Sequence, residues 1–145
     1  IIVVLLIRTF IITPVNVDGP SMNDTLHDND IMLLKKFDKT YERNEIVVFS
    51  RNSDRLVKRI IGLPGEKIKC VSGIIYINKK EYEDKYALGT TDDFEEVKLG
   101  NNEYFVMGDN RGNSLDSRIF GPISDSQIIG TTDLIIFPFN RIRKL

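Results

Sequence analysis

From Pro14 onward, no stretch of this chain repeats apolar residues at the three-to-four spacing of a helix face. Short β-rich runs stand there instead: Ile31–Leu34, Glu45–Ser50, Arg55–Ile61, Gly73–Ile77, Glu103–Met107 and Thr132–Phe137. Between and around them fall the turn-forming pairs Asn29-Asp30, Arg51-Asn52, Pro64-Gly65, Asn78-Lys79, Gly100-Asn101 and Gly112-Asn113. Short runs with regular punctuation predict an all-β sandwich or barrel, because each apolar run is long enough for a strand and too short for a helix. IIYINKKEYE reads as a hairpin turning near Asn78-Lys79. The acidic, poorly patterned stretch Lys80–Lys98 reads as a loop or small insertion. Ser124–Ile129 reads as about one helical turn capped by a serine or aspartate. With 145 residues, 41% of them hydrophobic, the chain suits one domain with its own core.

The first residues, IIVVLLIRTFII, are nearly all apolar. Twelve residues fall short of the ~20 that cross a bilayer. They read as the outer end of a membrane span with Arg8 snorkelling toward the headgroups, or as a core strand or helix; composition favours the span. A cleaved secretory signal fits poorly, since no small-residue cleavage site follows. The net charge of -1 gives no field that would draw nucleic acid. A single cysteine, Cys70, excludes an internal disulfide and reads as an apolar filler. The single histidine, His27, excludes a site built on two histidine ligands. Lying in the polar run HDND, it reads as a solvent-facing turn residue.

Three segments carry reactive groups. In Asp18–Leu26, Gly19 and Pro20 place Ser21 in a tight turn, where a hydroxyl can be exposed and a backbone N–H can face a substrate oxygen; read alone, Ser21 is equally an ordinary turn residue. In Arg55–Gly65, strand alternation puts Leu56, Lys58 and Ile60 on one face and Val57, Arg59 and Ile61 on the other. Aliphatic neighbours disfavour the charged form of Lys58 and lower its pKa, as a general base requires. An ordinary lysine, with pKa near ~10.4, is neutral in only about one molecule in a few thousand at pH 7. A shift of ~3 units would cost roughly 4 kcal/mol. The plain alternative is an edge-strand lysine that guards against aggregation. In Tyr104–Arg118, an apolar strand runs into a loop dense in hydrogen-bonding groups, among them Asp109, Asn110, Arg111, Ser114, Asp116 and Arg118, where an aspartate and an arginine two positions apart can pair and stiffen the loop.

GPSMNDTL, VKRIIGLPGE and YFVMGDNRGNSLDSRIFGPI, in this order, resemble the boxes of bacterial type I signal peptidases, in the form that uses a lysine base. TPVNV before the serine and IIFPFNRIRKL at the close fit as well, and the likeness covers nearly the whole chain. The resemblance implies two antiparallel sheets of the Ser–Lys protease type with a small β-rich cap insertion. It implies residues 1–13 as the end of a membrane anchor, and 14–145 as the catalytic domain with the cap at about 70–98. It implies Ser21 as nucleophile, Lys58 as general base, Ser114 as the hydroxyl that orients the lysine amine, and Asp116, Arg118, Asp109 and Arg59 as supporting residues. Val15, Val17, Met22, Leu26, Met32 and Val57 become candidate walls for the substrate, with core packing as the plain alternative. Gly19 stands where some members carry a serine that helps bind the oxyanion, so that donor is missing. The expected substrates are signal peptides of exported preproteins cut after a small-x-small motif, by a monomer at the cell membrane facing outward, without metal or cofactor.

Two other readings compete. A self-cleaving repressor with the same dyad would carry a helical DNA-binding segment, and this chain shows neither that nor a basic patch. A membrane-tethered β module without activity would have no need of Ser21, Lys58 and Ser114.

Overall fold

The structure is a computed structural model that describes residues 1–5, 12–36 and 40–145. Among the described residues, thirteen strands make two antiparallel sheets. The larger comprises β1 (Ile12–Asn16), β2 (Ile31–Lys35), β3 (Ile46–Arg51), β4 (Asp54–Gly62), β9 (Glu103–Met107), β10 (Ile123–Ser124), β11 (Ile128–Thr132), β12 (Leu134–Phe137) and β13 (Arg143–Lys144), in the order β10-β9-β4-β3-β11-β2-β12-β13, with β1 on β2. The smaller comprises β5 (Lys67–Val71), β6 (Ile74–Ile77), β7 (Lys80–Glu81) and β8 (Phe94–Lys98), in the order β7-β6-β5-β8. The smaller sheet lies between β4 and β9 in the chain, where a small β-rich insertion is expected.

Local chemistry accounts for the turns. Arg51 pairs with Asp54 across Asn52 and Ser53, both at positive φ, and Ile77 pairs with Lys80 across Asn78 and Lys79, again both positive. Two consecutive left-handed residues match the strand twist in a two-residue hairpin. The continuous apolar run Ile46–Phe49 is wholly buried because β3 lies between β4 and β11. In β4 the first residues are exposed and the last five buried. Strand β9 reaches β4 only from Arg59 onward, so Asp54–Lys58 is unpaired on that side among the described residues.

Two boundaries differ from the sequence reading. Ile12 and Thr13, assigned to the anchor, pair in register with Lys35 and Leu34 of β2. The cap sheet starts at Lys67, before Cys70, because Ile68 faces the cap core with Ile75, Ile77 and Phe105. Ser124–Ile129 holds a 3-10 turn, Asp125–Gln127, closed by a Ser124/Gln127 capping box; Ile128 and Ile129 belong to β11. Residues 2–5 form a helical turn, and among the described residues no helix is long and apolar enough to cross a membrane. The placement of Arg8 at a headgroup lies outside the described residues.

A partly buried ion pair ties the 3-10 turn Phe139–Arg141 to the start of β2. Arg141 donates from Nε to Asp30 Oδ1 at 2.9 Å and from Nη2 to Oδ2 at 3.0 Å, and Asp30 is 1% exposed. Arg141→Ala removes two of the donors to this carboxylate. It is expected to cost ~1–3 kcal/mol, read as a lower urea midpoint at an unchanged denaturant slope. An unshifted midpoint would mean that water satisfies Asp30 equally well.

Candidate active site

Between β1 and β2 the chain makes a loop whose base is closed by Val17 N–H donating to Asp30 O at 2.8 Å and Asn29 N–H donating to Val17 O at 2.9 Å. Val17, Met22 and Leu26 anchor it, packed with Met32 and Leu34 in the core. Gly19 takes φ +87°, a conformation that side chains rarely adopt, and its N–H donates to Asp28 Oδ1 at 2.9 Å. The loop therefore holds Ser21 at its partly exposed tip by apolar pegs on either side. The Ser21 N–H has no acceptor among the described residues and remains available to a ligand oxygen.

Lys58, in the middle of β4, is 4% exposed, and its Nζ lies 2.7 Å from Ser21 Oγ, within hydrogen-bond distance. The predicted alternation holds, for Leu56 and Ile60 pack in one cluster and Val57 in another. Burial draws the Lys58 amine down from 10.5 to about 8, while the charge of Asp116 pulls in the opposite direction. An amine with that pKa, touching an alcohol, can exist neutral near pH 7 and take the alcohol's proton.

The loop after β9 completes the site. Gly108 has no room for a side chain: a Cβ there would lie 2.1 Å from Ser114 Oγ and 2.6 Å from Ser21 O. Asn110 N–H donates to Ser21 O at 3.0 Å, and Asn110 Nδ2 donates to Pro20 O at 3.1 Å. Asp116 is fully buried and accepts from Gly108 N–H, Ser114 Oγ and two nitrogens of Arg118, all within 2.7–2.9 Å. Burial works to raise the Asp116 carboxyl, but Arg118, the Gly108 amide and the Ser114 hydroxyl outweigh it and hold it below its ordinary value. Asp116 also caps the helical turn Ser117–Phe120.

Arg59 lies beside Lys58 in the strand and points the other way. It forms a two-point pair with Asp109, Nε–Oδ1 2.9 Å and Nη2–Oδ2 2.7 Å, and donates to Asn44 O. Thr25 Oγ1 donates to Asp109 Oδ2 at 2.6 Å, and the Tyr86 ring covers the guanidinium at 3.7 Å. This buried cluster joins three pieces: the serine loop, the lysine strand and the loop after β9.

The structure thus brings together Ser21, Lys58, Ser114, Asp116 and Arg118, with Arg59 and Asp109 behind them. One expected contact differs. The Ser114 hydroxyl donates to Asp116 rather than to the Lys58 amine, because a carboxylate is the stronger acceptor; its oxygen remains able to accept. Four candidate substrate walls also shift. Val17, Met22, Leu26 and Met32 are at most 4% exposed and form the core beneath the serine loop, where apolar side chains are most stable. Val15, Val57 and Gly19 keep open surface. His27 is partly exposed in the loop, as its polar neighbours suggest. The sequence reading passed over Gly108, Thr25 and the role of Asn110, whose parts depend on contacts across the fold. Cavities of about 300 and 410 Å³ border Arg59 with Tyr86 and Thr25 with Leu88; neither is lined by Ser21 or Lys58. Among the described residues no group of His, Cys, Asp or Glu could hold a metal ion.

Comparison with known proteins gives the family of the chain. The family model described as signal peptidase, peptidase S26, matches residues 1–137. The chain is 42% identical to a signal peptidase I of Bacillus amyloliquefaciens, across 99% of this chain and 86% of that protein. It is 40% identical to signal peptidase I S of Bacillus subtilis, across 99% and 87%. The crystal structure of a signal peptidase I from Enterococcus faecalis superimposes with a TM-score of 0.57 at 31% identity, covering 63% of this chain and 96% of that one. The chain belongs to the signal peptidase family, peptidase S26, as a serine endopeptidase of the signal peptidase I type.

Proposed function

We propose that this chain removes N-terminal signal peptides from exported preproteins, cutting after a small-x-small motif such as Ala-x-Ala through an acyl-enzyme on Ser21. The observation that carries the reading is the 2.7 Å separation of Ser21 Oγ from a buried amine whose pKa is about 8. Neutral Lys58 accepts the hydroxyl proton as Ser21 Oγ attacks the scissile carbonyl, then passes it to the leaving amine. It next takes a proton from the water that hydrolyses the ester. The Ser21 N–H binds the oxyanion. The Gly19 amide is occupied by Asp28 and does not serve as a second donor. Asp116 with Arg118, and Asp109 with Arg59, hold the loop and strand that carry the reacting groups. An extended peptide reads an open strand edge rather than a closed cavity; the side of Asp54–Lys58 away from β3, unpaired among the described residues, offers one, and its Val57 packs against the same apolar cluster as Val15. In this reading the chain acts as a monomer at the outer face of the cell membrane, and the apolar run at its start supports the membrane attachment.

The test is cleavage of a purified preprotein by the detergent-solubilised enzyme, with the product mapped by mass spectrometry. Cutting is expected directly after the second alanine of an Ala-x-Ala site and should be lost when that alanine becomes phenylalanine. His27→Ala should keep nearly full activity. Cutting at unrelated positions, or a correctly folded but inactive His27 variant, would overturn the assignment.

A further inference from the structure

Segment 84–91 is the least patterned part of the sequence, yet it is bonded directly to the loop that carries Ser114 and Asp116. Leu88 N–H donates to Asp109 O at 2.7 Å, and Arg111 N–H donates to Leu88 O at 3.0 Å. The Arg111 side chain is wholly buried between the two. Its Nε donates to Gly108 O at 2.9 Å, its Nη1 to Thr91 Oγ1 at 2.8 Å and also to Asp84, and its Nη2 to Asp84 Oδ1 at 2.9 Å. Gly108 is the residue packed against both Ser21 O and the Ser114 side chain.

From this connectivity we infer that segment 84–91 is a positioning element of the active site: Arg111, anchored by Asp84 and Thr91, holds the Gly108 carbonyl and thereby sets Ser21 and Ser114 relative to Lys58. Peptide binding places no such demand on Arg111, which has no side-chain surface to offer a substrate. A planar five-donor guanidinium is suited to this task because it can grip a carboxylate in two places and a carbonyl and a hydroxyl besides. The inference rests on the Ser21–Lys58 reading. If wild-type enzyme fails to cut, or Ser21→Ala still cuts, that reading fails; the positioning claim is tested separately on an active wild type.

The discriminating variant is Asp84→Ala combined with Arg111→Met. Asp84→Ala alone strands a buried cation and should lower stability; removing both charges should restore much of it. If the pair served stability alone, turnover would return with it. Positioning predicts otherwise: the folded double variant should show kcat reduced ~10–10²-fold, the scale expected for a misplacement of about 1 Å, with KM little changed. The Lys58 titration, followed by NMR of its ε-carbon, should shift because its setting against Ser21 and Asp116 has altered. Thr91→Val keeps the charge pair and the side-chain shape, stays folded if the double variant does not, and should lower kcat several-fold. Wild-type kcat and Lys58 titration in the folded double variant, or in Thr91→Val should the double variant not fold, would overturn the inference.

Discussion

Lys58→Ala is expected to reduce turnover at pH 7 by ~10³-fold or more, with the fold intact by circular dichroism. The size follows from protonation. With a pKa of about 8, Lys58 is neutral in roughly a tenth of molecules at pH 7, whereas an amine at 10.5 would be neutral in about one in three thousand. Burial in β4 thus supplies most of the usable base. Ser21→Ala should cost as much, and the double variant no more than either single one, because the two groups act as a unit. In the natural enzyme, turnover should rise with pH through an acid limb near 8, then level as the amine becomes wholly neutral. An acid limb that stays in place in a still-active Lys58 variant would remove Lys58 from the role of base.

The same shift has a cost in stability, and its sign is distinctive. The unfolded chain holds the Lys58 proton up to about 10.5, while the folded chain releases it near 8, so between those values the unfolded state binds more protons. Stability therefore rises with pH across that window, and below pH 8 the folded state carries a penalty of roughly 3 kcal/mol. Lys58→Met, which fills the same space without charge, should be more stable than the natural chain at pH 7 by up to that amount, the difference shrinking toward zero above pH ~10. Urea midpoints measured from pH 6 to 10.5 would show it. A methionine variant less stable at every pH would mean that the amine is not desolvated.

The larger sheet was legible wherever a strand carries its own boundary signals. Glu103–Met107 is legible to the residue because Gly100-Asn101 precedes it and glycine follows. Lys67–Val71 hides as a strand because its lysines alternate with the buried Ile68 and Cys70, and Phe94–Lys98 because two adjacent exposed glutamates break the alternation where its register with β5 shifts. Strand β1 hides for another reason: Ile12 closes the apolar run, while Thr13, Pro14 and Asn16 break any strand-like pattern, and only pairing with β2 defines the strand. Within the site, Ser21 and Lys58 were legible through motif order and through the aliphatic neighbours of the lysine. The partner of Ser114 was not, since Asp116 wins that hydroxyl only once the loop folds back on itself. Nor was the burial of Met22, Leu26 and Met32, because a sequence shows that a residue is apolar but not whether it ends in a groove or beneath it.

Gly108→Ala should be the most damaging methyl group that can be added near the reacting atoms. The new Cβ would stand 2.1 Å from Ser114 Oγ, 2.5 Å from Ser114 Cβ and 2.6 Å from Ser21 O. Ser114 cannot turn aside without giving up its bond to Asp116, and Ser21 O is backbone held by the Asn110 N–H. To reach ordinary contact near 3.4 Å, Ser21 O and the added methyl must separate by about 0.8 Å, and that movement lies in the residue that bears the nucleophile. A displacement on this scale is expected to lower kcat by ~10²-fold, with a stability loss of ~1–3 kcal/mol from overpacking. Adding Ser114→Gly relieves two of the three collisions but leaves the one with Ser21 O, so the double variant should recover stability without recovering turnover. Natural turnover in folded Gly108→Ala would place the Ser21 loop farther from Gly108 than the structure does, and the close packing that aligns alcohol and amine would have to be withdrawn.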